Sequence, residues 1–193
     1  QGSVDNIAGL TDGNLDMALV QADVANFAYL GKGPFAREPA HSDLRAIASL
    51  YPESVHVVTA ATAPPSAVGN LRNKRVSLGA ERSGTRFTAE RILRVGYGIG
   101  PHDIKPVYAG LDRSSDMLAE GSLDAFFMVG GYPMSSVQHA AEVTAIRLLP
   151  IDGQASAALR KEFPFFTVSA IPAETYRNVP ETTTLSVRAH LVV

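Results

Sequence analysis

The sequence predicts an α/β protein, because short apolar runs rich in β-branched residues alternate with amphipathic segments along the chain. The 193 residues are enough for a sizeable hydrophobic core. With 46% apolar and 19% charged side chains, the composition excludes an intrinsically disordered chain. The alternation of strand and helix favours sheets that are largely parallel.

Nine apolar runs are predicted strands, and they cover residues 17–20, 44–50, 54–61, 75–78, 104–108, 123–129, 146–149, 166–171 and 185–193. Six segments between them are predicted helices, each bounded by glycine, proline or a capping side chain. These helices cover residues 4–11, 23–29, 85–96, 115–120, 135–142 and 155–163. In the helix 85–96, Ala89, Ile92 and Leu93 lie at helical spacing and Gly96 ends the run.

Two segments are predicted to cross between separate lobes. The first is residues 60–69, where Pro64 and Pro65 impose a stiff, non-helical stretch. The second is residues 163–171, where an aromatic, proline-containing stretch leads into a new strand. The two crossings would divide the chain into one lobe formed by residues 1–61 and 166–193 and a second lobe formed by residues 62–165.

The composition argues against several classes of partner. A net charge of -2 with no run of lysine or arginine leaves no surface suited to a nucleic-acid backbone. The longest nearly uncharged apolar runs, residues 54–61 and 125–129, are far shorter than the roughly 20 residues of a bilayer span, so no direct membrane insertion of this chain is expected. The absence of cysteine excludes disulfides, thiolate metal sites and cysteine nucleophiles.

No catalytic pattern stands out in the sequence. The five histidines lack the i, i+4 spacing of a helical metal pair, and His56, inside a predicted strand, is expected to be a packed or edge residue. The chain has no G-x-S-x-G elbow, Walker loop or G-x-G-x-x-G turn. A Ser83-His-Asp triad drawn from distant positions stays open, although nothing favours it. We therefore expect a protein that is not an enzyme, with no cofactor, no catalytic residue and no metal site.

The most informative motif is Ser83-Gly84-Thr85, at the start of the helix 85–96 and after a short strand. The first turn of a helix carries unpaired backbone N–H groups and the positive end of the helix dipole. Such a terminus can hold a carboxylate or a phosphate, and the two hydroxyls would add donors. The alternative is that Ser83 or Thr85 only caps the helix.

Polar residues also lie at two other transitions from loop or strand to helix, the places where open α/β sheets bind ligands. Ser3 and Asn6 lie near the N-terminus, and Gln21 and Asp23 follow the predicted strand 17–20. Helix capping is the alternative role for Asp23. The amide of Gln21 would need hydrogen-bond partners if it were buried.

Three further candidates lie near the ends of predicted strands. Tyr51 could supply an aromatic wall with a hydroxyl, or it could belong to a simple turn with Pro52 and Glu53. Phe126 lies in the strand 123–129, and Gly130 follows that strand, where a backbone can approach a ligand closely. Because Phe126 and Phe127 point to opposite faces of the strand, at least one of them is expected in the core.

Taken together, these motifs resemble the TAXI family of TRAP-transporter solute-binding proteins. The matching segments are residues 2–7, 15–23, 44–53, 55–58, 71–79, 83–85 and 121–127, in the order found in the family. The resemblance implies a two-lobed periplasmic-binding-protein-like fold with a ligand cleft between the lobes. It also implies that the chain is truncated at both ends, because the sequence starts and stops inside the family pattern.

The resemblance further implies a periplasmic or other extracytoplasmic receptor for a small carboxylate-bearing solute, such as glutamate or an organic acid. Its partners would be that anionic solute and the membrane subunits of a TRAP transporter. The alternative is the extracytoplasmic ligand-sensing domain of a larger signalling receptor, with signalling domains of its own as partners. In either case Gln21, Tyr51, Ser83, Thr85 and Phe126 are expected to line one cleft.

Overall fold

The computed structural model describes residues 2–62 and 65–193, and within them six α-helices and eight strands alternate along the chain. Their bounds are α1 Ser3–Thr11, β1 Ala18–Gln21, α2 Ala22–Tyr29, β2 Ala46–Ala60, β3 Arg75–Ser77, α3 Gly84–Arg91, β4 Lys105–Val107, α4 Leu111–Ala119, β5 Ala125–Gly130, α5 Ser135–Val143, β6 Ile146–Leu148, α6 Gly153–Glu162, β7 Thr167–Ile171 and β8 Thr182–Val192. A wider helical turn, Ile92–Gly96, continues α3. The predicted α/β class is confirmed.

The eight strands form one sheet with the order β1-β8-β2-β5-β3-β4, in which β6 also pairs with β2 and β7 with β8. Among the strands in the described residues, only β3–β4 and β3–β5 pair in parallel, so the expectation of a largely parallel sheet is wrong. The two longest strands, β2 and β8, run antiparallel to each other and to most of their other neighbours. Strand β7 reaches β8 through a loop without a helix, and such a connection suits an antiparallel pair.

Strand β2 is one continuous strand, whereas the sequence predicts two strands separated by a turn at residues 51–53. Its pairing with β8 shifts register between the pairs Ser49–His190 and Pro52–Arg188, which makes a β-bulge. Pro52 lacks an N–H group, and a bulge is one of the places where a sheet accepts proline. Tyr51 therefore belongs to a bulged strand and not to a turn.

Strands β2 and β8 both extend across the sheet. The first part of β2 pairs with the last part of β8, and the rest of β2 pairs with β5 and β6. The division into lobes at residues 61/62 and 165/166 stays a prediction. Of the first predicted crossing, Ala63 and Pro64 lie outside the described residues.

Apolar side chains fill both faces of the sheet. On one face, Val55 and Phe127 pack with Ile92 of the turn that follows α3. On the other face, Phe126 packs with Leu118 of α4 and with part of α5. A third cluster lies between β1 and the helices α1 and α2. In the part of the chain that the structure describes, the helices are too short or too polar to cross a bilayer.

Candidate functional site

The start of α3 lies against the start of α1 and the end of β1. A Cβ built on Gly84 would overlap Gln21 Oε1 and would lie 2.7 Å from Gln21 Cδ and 2.9 Å from Ser3 Oγ. A Cβ on Gly2 would lie 2.6 Å from Ser83 Cα. Only glycine allows such close approach, so three segments that are distant in the sequence meet here. We call the cluster of Ser3, Gln21, Ser83 and Gly84 the α3 contact.

At the centre of the α3 contact, Gln21 is 4% exposed, and its Oε1 has no hydrogen-bond partner among the described residues. Its backbone N–H donates to Ser3 Oγ at 3.2 Å. Asn6 Nδ2 donates to the carbonyl oxygen of Leu19 at 2.8 Å, which holds α1 beside β1. A buried acceptor without a donor costs about 1–3 kcal/mol, so the Gln21 amide is a group that a ligand could satisfy.

Ser83 caps α3, which is the role given above as the alternative to ligand binding. Its Oγ accepts a hydrogen bond from Arg86 N at 3.1 Å and donates to the Ala80 carbonyl at 2.7 Å. Thr85 Oγ1 accepts from Val129 N at 3.3 Å and so ties α3 to the end of β5. The Ser83 hydroxyl thus both donates and accepts within the protein, whereas Thr85 Oγ1 only accepts within the described residues, so the donors left for a ligand are the Thr85 hydroxyl proton and backbone N–H groups of the first turn.

The arginines beside the motif are paired with carboxylates. Arg82 forms an ion pair with Asp5 of α1, and Arg86 Nε lies 2.8 Å from Glu90 Oε1. The Arg82–Asp5 pair joins the same two helices that meet at the α3 contact. These pairs lower the positive charge that the two side chains offer to a ligand.

Asp23 lies inside the protein, where it links α2 to α3. Its Oδ2 accepts from Thr88 Oγ1 at 2.8 Å, and its Oδ1 accepts from Val24 N at 2.9 Å. Burial raises the pKa of the Asp23 carboxyl to about 6, although these hydrogen bonds and the charge of Arg91 act in the opposite direction. Asp23 is thus a buried polar link next to the α3 contact.

Glu53 is a second, half-buried carboxyl, and it is not among the residues that the sequence motifs single out. Its Oε2 has no hydrogen-bond partner among the described residues. Burial and then the negative charge of Asp23 raise the pKa of Glu53 to about 7. The sequence could have indicated this burial. Glu53, Val55 and Val57 alternate along β2 and so point to the same face, and the two valines lie in the core.

A cavity of about 500 Å³ begins at Ser83 and follows α3. It lies between that helix, the residues 33–34 and the segment 99–104. Its charged lining residues are Glu81, Arg82, Arg86, Glu90, Arg91 and Arg94. A second cavity of about 400 Å³ lies near the end of α5, between residues 141–146 and 177–178.

Arg91 is the most enclosed of the cavity arginines. Its guanidinium carbon lies 3.2 Å from the centre of the Phe87 ring and 4.6 Å from that of Phe27. Its Nη1 donates to the Phe87 carbonyl at 3.0 Å, whereas Nε is buried without a partner among the described residues. Burial lowers the pKa of Arg91 to about 10, so the side chain remains charged at neutral pH.

Three sequence candidates do not lie at the α3 contact. Phe126 is fully buried on the face of the sheet opposite α3, so it is a core residue. Gly130 ends β5, and a Cβ there would lie 2.7 Å from Met134 Cε. Tyr51 is 47% exposed and lies beside Gly131. Phe126 therefore cannot line a cleft with Gln21, while ligand roles for the other candidates stay predictions.

His56 confirms the expectation of a packed residue. Its Nδ1 lies 2.9 Å from the Ser54 carbonyl and therefore carries the proton, so its Nε2 accepts from Tyr176 OH at 2.9 Å. The same tyrosine oxygen accepts from Met134 N at 3.1 Å. Burial lowers the pKa of His56 to about 4, so the ring is neutral.

The architecture belongs to the class of periplasmic-binding-protein-like folds. The periplasmic aliphatic sulphonate binding protein SsuA from Escherichia coli superposes with a TM-score of 0.58 at 15% identity, over 96% of this chain and 49% of that protein. The ligand-binding component of an ABC-type import system from Staphylococcus aureus, with zinc bound, gives 0.53 at 12% identity, over 98% of this chain and 51% of that one. The regulatory domain of CcmR from Synechocystis PCC6803, in complex with 2-PG, superposes with a TM-score of 0.53 at 12% identity, over 100% of this chain and 70% of that one.

The chain itself belongs to the NMT1-like family, which its residues 1–193 match throughout. It spans about half the length of SsuA and of the Staphylococcus aureus protein. At these identities the superpositions establish the fold alone.

Proposed function

We propose that this chain is the ligand-binding part of an extracytoplasmic solute receptor, and that its solute carries a carboxylate bound at the α3 contact. The observation that carries the proposal is the meeting of Ser3, Gln21 and Gly84 around the first turn of α3, with Gln21 Oε1 buried and unpartnered. The role is one of binding and release and includes no reaction.

A carboxylate suits this position for two reasons. The first turn of α3 presents backbone N–H groups and the positive end of the helix dipole, both of which favour an anion. Gln21 Oε1 is an acceptor and does not itself bind a carboxylate, but a half-turn of the Gln21 amide about its last torsion would turn its NH₂ group, a donor, toward the oxygen atoms of the solute's carboxylate. The Gln21–Gly84 approach leaves no room for a solute, so these two residues must separate to admit one.

The transporter class rests on the sequence. The segments that resemble the TAXI family favour delivery to the membrane subunits of a TRAP transporter. The superposition on SsuA, a periplasmic sulphonate binding protein, supports an extracytoplasmic location and the handling of a small anion.

Calorimetric titration tests the proposal with amino acids, dicarboxylates and other organic acids, each paired with its neutral amide. Hydrogen bonds to a charged group contribute about 1.5–3 kcal/mol, so the best acid should bind roughly 10- to 100-fold more tightly than its amide. Gly84→Ala should weaken the binding of that acid, because the added Cβ points toward Gln21 and Ser3, into the space that the carboxylate must enter. Gly69→Ala is the matched control, since its Cβ would meet only Tyr97 Cδ1 at 3.8 Å.

A neutral amide that binds as tightly as its acid would overturn the carboxylate assignment. Equal affinities in Gly84→Ala and Gly69→Ala would remove the α3 contact as the binding site.

The superposition on the CcmR regulatory domain favours a second candidate, the ligand-sensing domain of a larger signalling protein. The two candidates share the binding site and differ in the partner. Sequencing the complete gene decides between them. A fused kinase or cyclase domain would identify the chain as part of a sensor, whereas a protein that ends shortly after this domain would identify it as a transport receptor.

A further inference from the structure

The cavity along α3 has the size and shape of a site for a small organic molecule. Its volume of about 500 Å³ falls within the roughly 300–1,000 Å³ of small-molecule sites. Part of its lining is apolar, since Leu93, Ile99 and Ile104 are 2%, 1% and 7% exposed and all three border it. Pro34 adds a further apolar contact at one end.

The cavity carries an excess of positive charge. Four arginines against two glutamates leave a formal charge of +2 on its lining. Arg82 and Arg86 are neutralised by Asp5 and Glu90. Among the remaining charged residues of the lining, Arg91 and Arg94 outnumber Glu81 by one, so the excess that is left rests on these two arginines.

Neither Arg91 nor Arg94 forms an ion pair within residues 2–62 and 65–193. Arg94 is exposed, three residues further along the helix, whereas Arg91 Nε is buried and lacks an acceptor in the same part of the chain. A buried charged donor without an acceptor is costly, and an anion in the cavity would remove that cost.

We propose that this cavity binds an amphiphilic organic anion, whose apolar body lies against Leu93 and Ile99 and whose carboxylate or sulfonate is held by Arg91 and Arg94. The guanidinium fork matches the planar oxygen pair of a carboxylate, and it pairs with a sulfonate in the same way. A neutral solute of the same shape would leave both arginines unpaired. The cavity begins at Ser83 of the α3 contact, but Arg91 and Arg94 lie further along the chain, so Arg94→Gln tests this site and Gly84→Ala tests the proposed function.

The probes are hexanoate, hexane-1-sulfonate, hexan-1-ol and hexylammonium, titrated by calorimetry at low ionic strength. The two anions should bind, and hexan-1-ol and hexylammonium should bind at least 10-fold more weakly. Arg94→Gln should lower the affinity for hexanoate by about 10-fold or more. Because Arg94 is exposed, this variant should fold normally. Arg113→Gln is the matched control, an exposed arginine on α4 that is paired only with Glu120 at 3.6 Å.

Methyl NMR locates the bound probe. Hexanoate should shift the methyl resonances of Leu93 and Ile99 and leave Val137 and Ile146, on the other face of the sheet, unchanged. Binding of hexan-1-ol as tight as that of hexanoate would overturn the proposal. Equal affinities in Arg94→Gln and Arg113→Gln, shifts confined to other methyl groups, or no binding of either anion at millimolar concentration would do the same.

Discussion

The close approach of Gly84 to Gln21 makes a strong prediction for the variant Gly84→Ala. The new Cβ would lie 2.7 Å from Gln21 Cδ and 2.9 Å from Ser3 Oγ. Non-bonded carbon atoms normally approach to about 3.5–4.0 Å, so the neighbours must move by about 1 Å. Overpacking of this kind costs about 1–3 kcal/mol, and replacing glycine by alanine in a helix returns up to about 1 kcal/mol.

A double-mutant cycle separates these two effects. Gln21→Ala removes the amide that the new methyl group would meet, whereas the gain in helix propensity is the same in both backgrounds. Gly84→Ala should therefore lower the free energy of unfolding by about 0–3 kcal/mol in the natural protein. In the Gln21→Ala protein it should cost less or even stabilise, which gives a coupling energy of about 1–3 kcal/mol.

Urea unfolding followed by circular dichroism measures all four proteins, and equal m-values ensure that the same transition is compared. The control is the same cycle with Gly69→Ala, whose Cβ would make only an ordinary contact with Tyr97. That cycle should be additive to within about 0.5 kcal/mol. A coupling energy below that limit for Gly84 and Gln21 would refute the α3 contact.

Two further predictions concern buried titratable groups. Because the pKa of Asp23 is about 6 in the folded protein against an ordinary 3.8, the folded state binds more protons between these values. The Asp23 carboxyl should therefore contribute a fall in stability of about 3 kcal/mol as pH rises through that window, measured as the difference between the natural protein and Asp23→Asn. Asp23→Asn should remove this fall, and parallel stability curves for the two proteins between pH 4 and pH 8 would contradict it. Tyr176→Phe leaves His56 Nε2 without a donor and Met134 N without an acceptor, so it should cost about 1–3 kcal/mol in thermal or urea unfolding, against little change for the exposed Tyr108→Phe. Equal unfolding midpoints for Tyr176→Phe and Tyr108→Phe would refute this account of the Tyr176 hydrogen bonds. Burial lowers the pKa of His56 to about 4, so this group contributes a loss of stability as pH falls from about 6.5 to 4, opposite in sign to the contribution of Asp23.

Much of the secondary structure was predictable from the sequence, because apolar spacing reports burial directly. All six predicted helices have counterparts in the structure, and the helix at Ser83-Gly84-Thr85 begins within one residue of its predicted start. Strand direction was not predictable, since apolar runs look alike in parallel and antiparallel pairs. The turn predicted at Tyr51-Pro52-Glu53 failed for a related reason, because a proline at a bulge has the same local sequence as a proline in a turn.

The candidate site was predictable in part. Of the residues predicted to line one cleft, Gln21 and Ser83 both lie at the α3 contact, where they meet Ser3 and Gly84, two further candidate ligand residues. Phe126 failed because the strand β5 is covered on both faces, so no side chain of its central part reaches an open surface. Arg91 was not found, because its enclosure depends on Phe27, far away in the sequence.

The bulge in β2 bears on how a solute could reach Gln21. Gln21 lies on β1, which pairs with β8, whereas Thr85 ties α3 to the end of β5. Strand β2 joins these two groups, because it pairs with β8 over residues 46–54, on both sides of the bulge, and with β5 over residues 54–59. At Pro52 the ladder already lacks a regular hydrogen bond, so bending there disrupts less pairing than bending elsewhere in the strand. Because β8 pairs with β2 on both sides of the bulge, separation of Gln21 from Gly84 would then need the two strands to bend together, β2 at Pro52 and β8 at Arg188 opposite it.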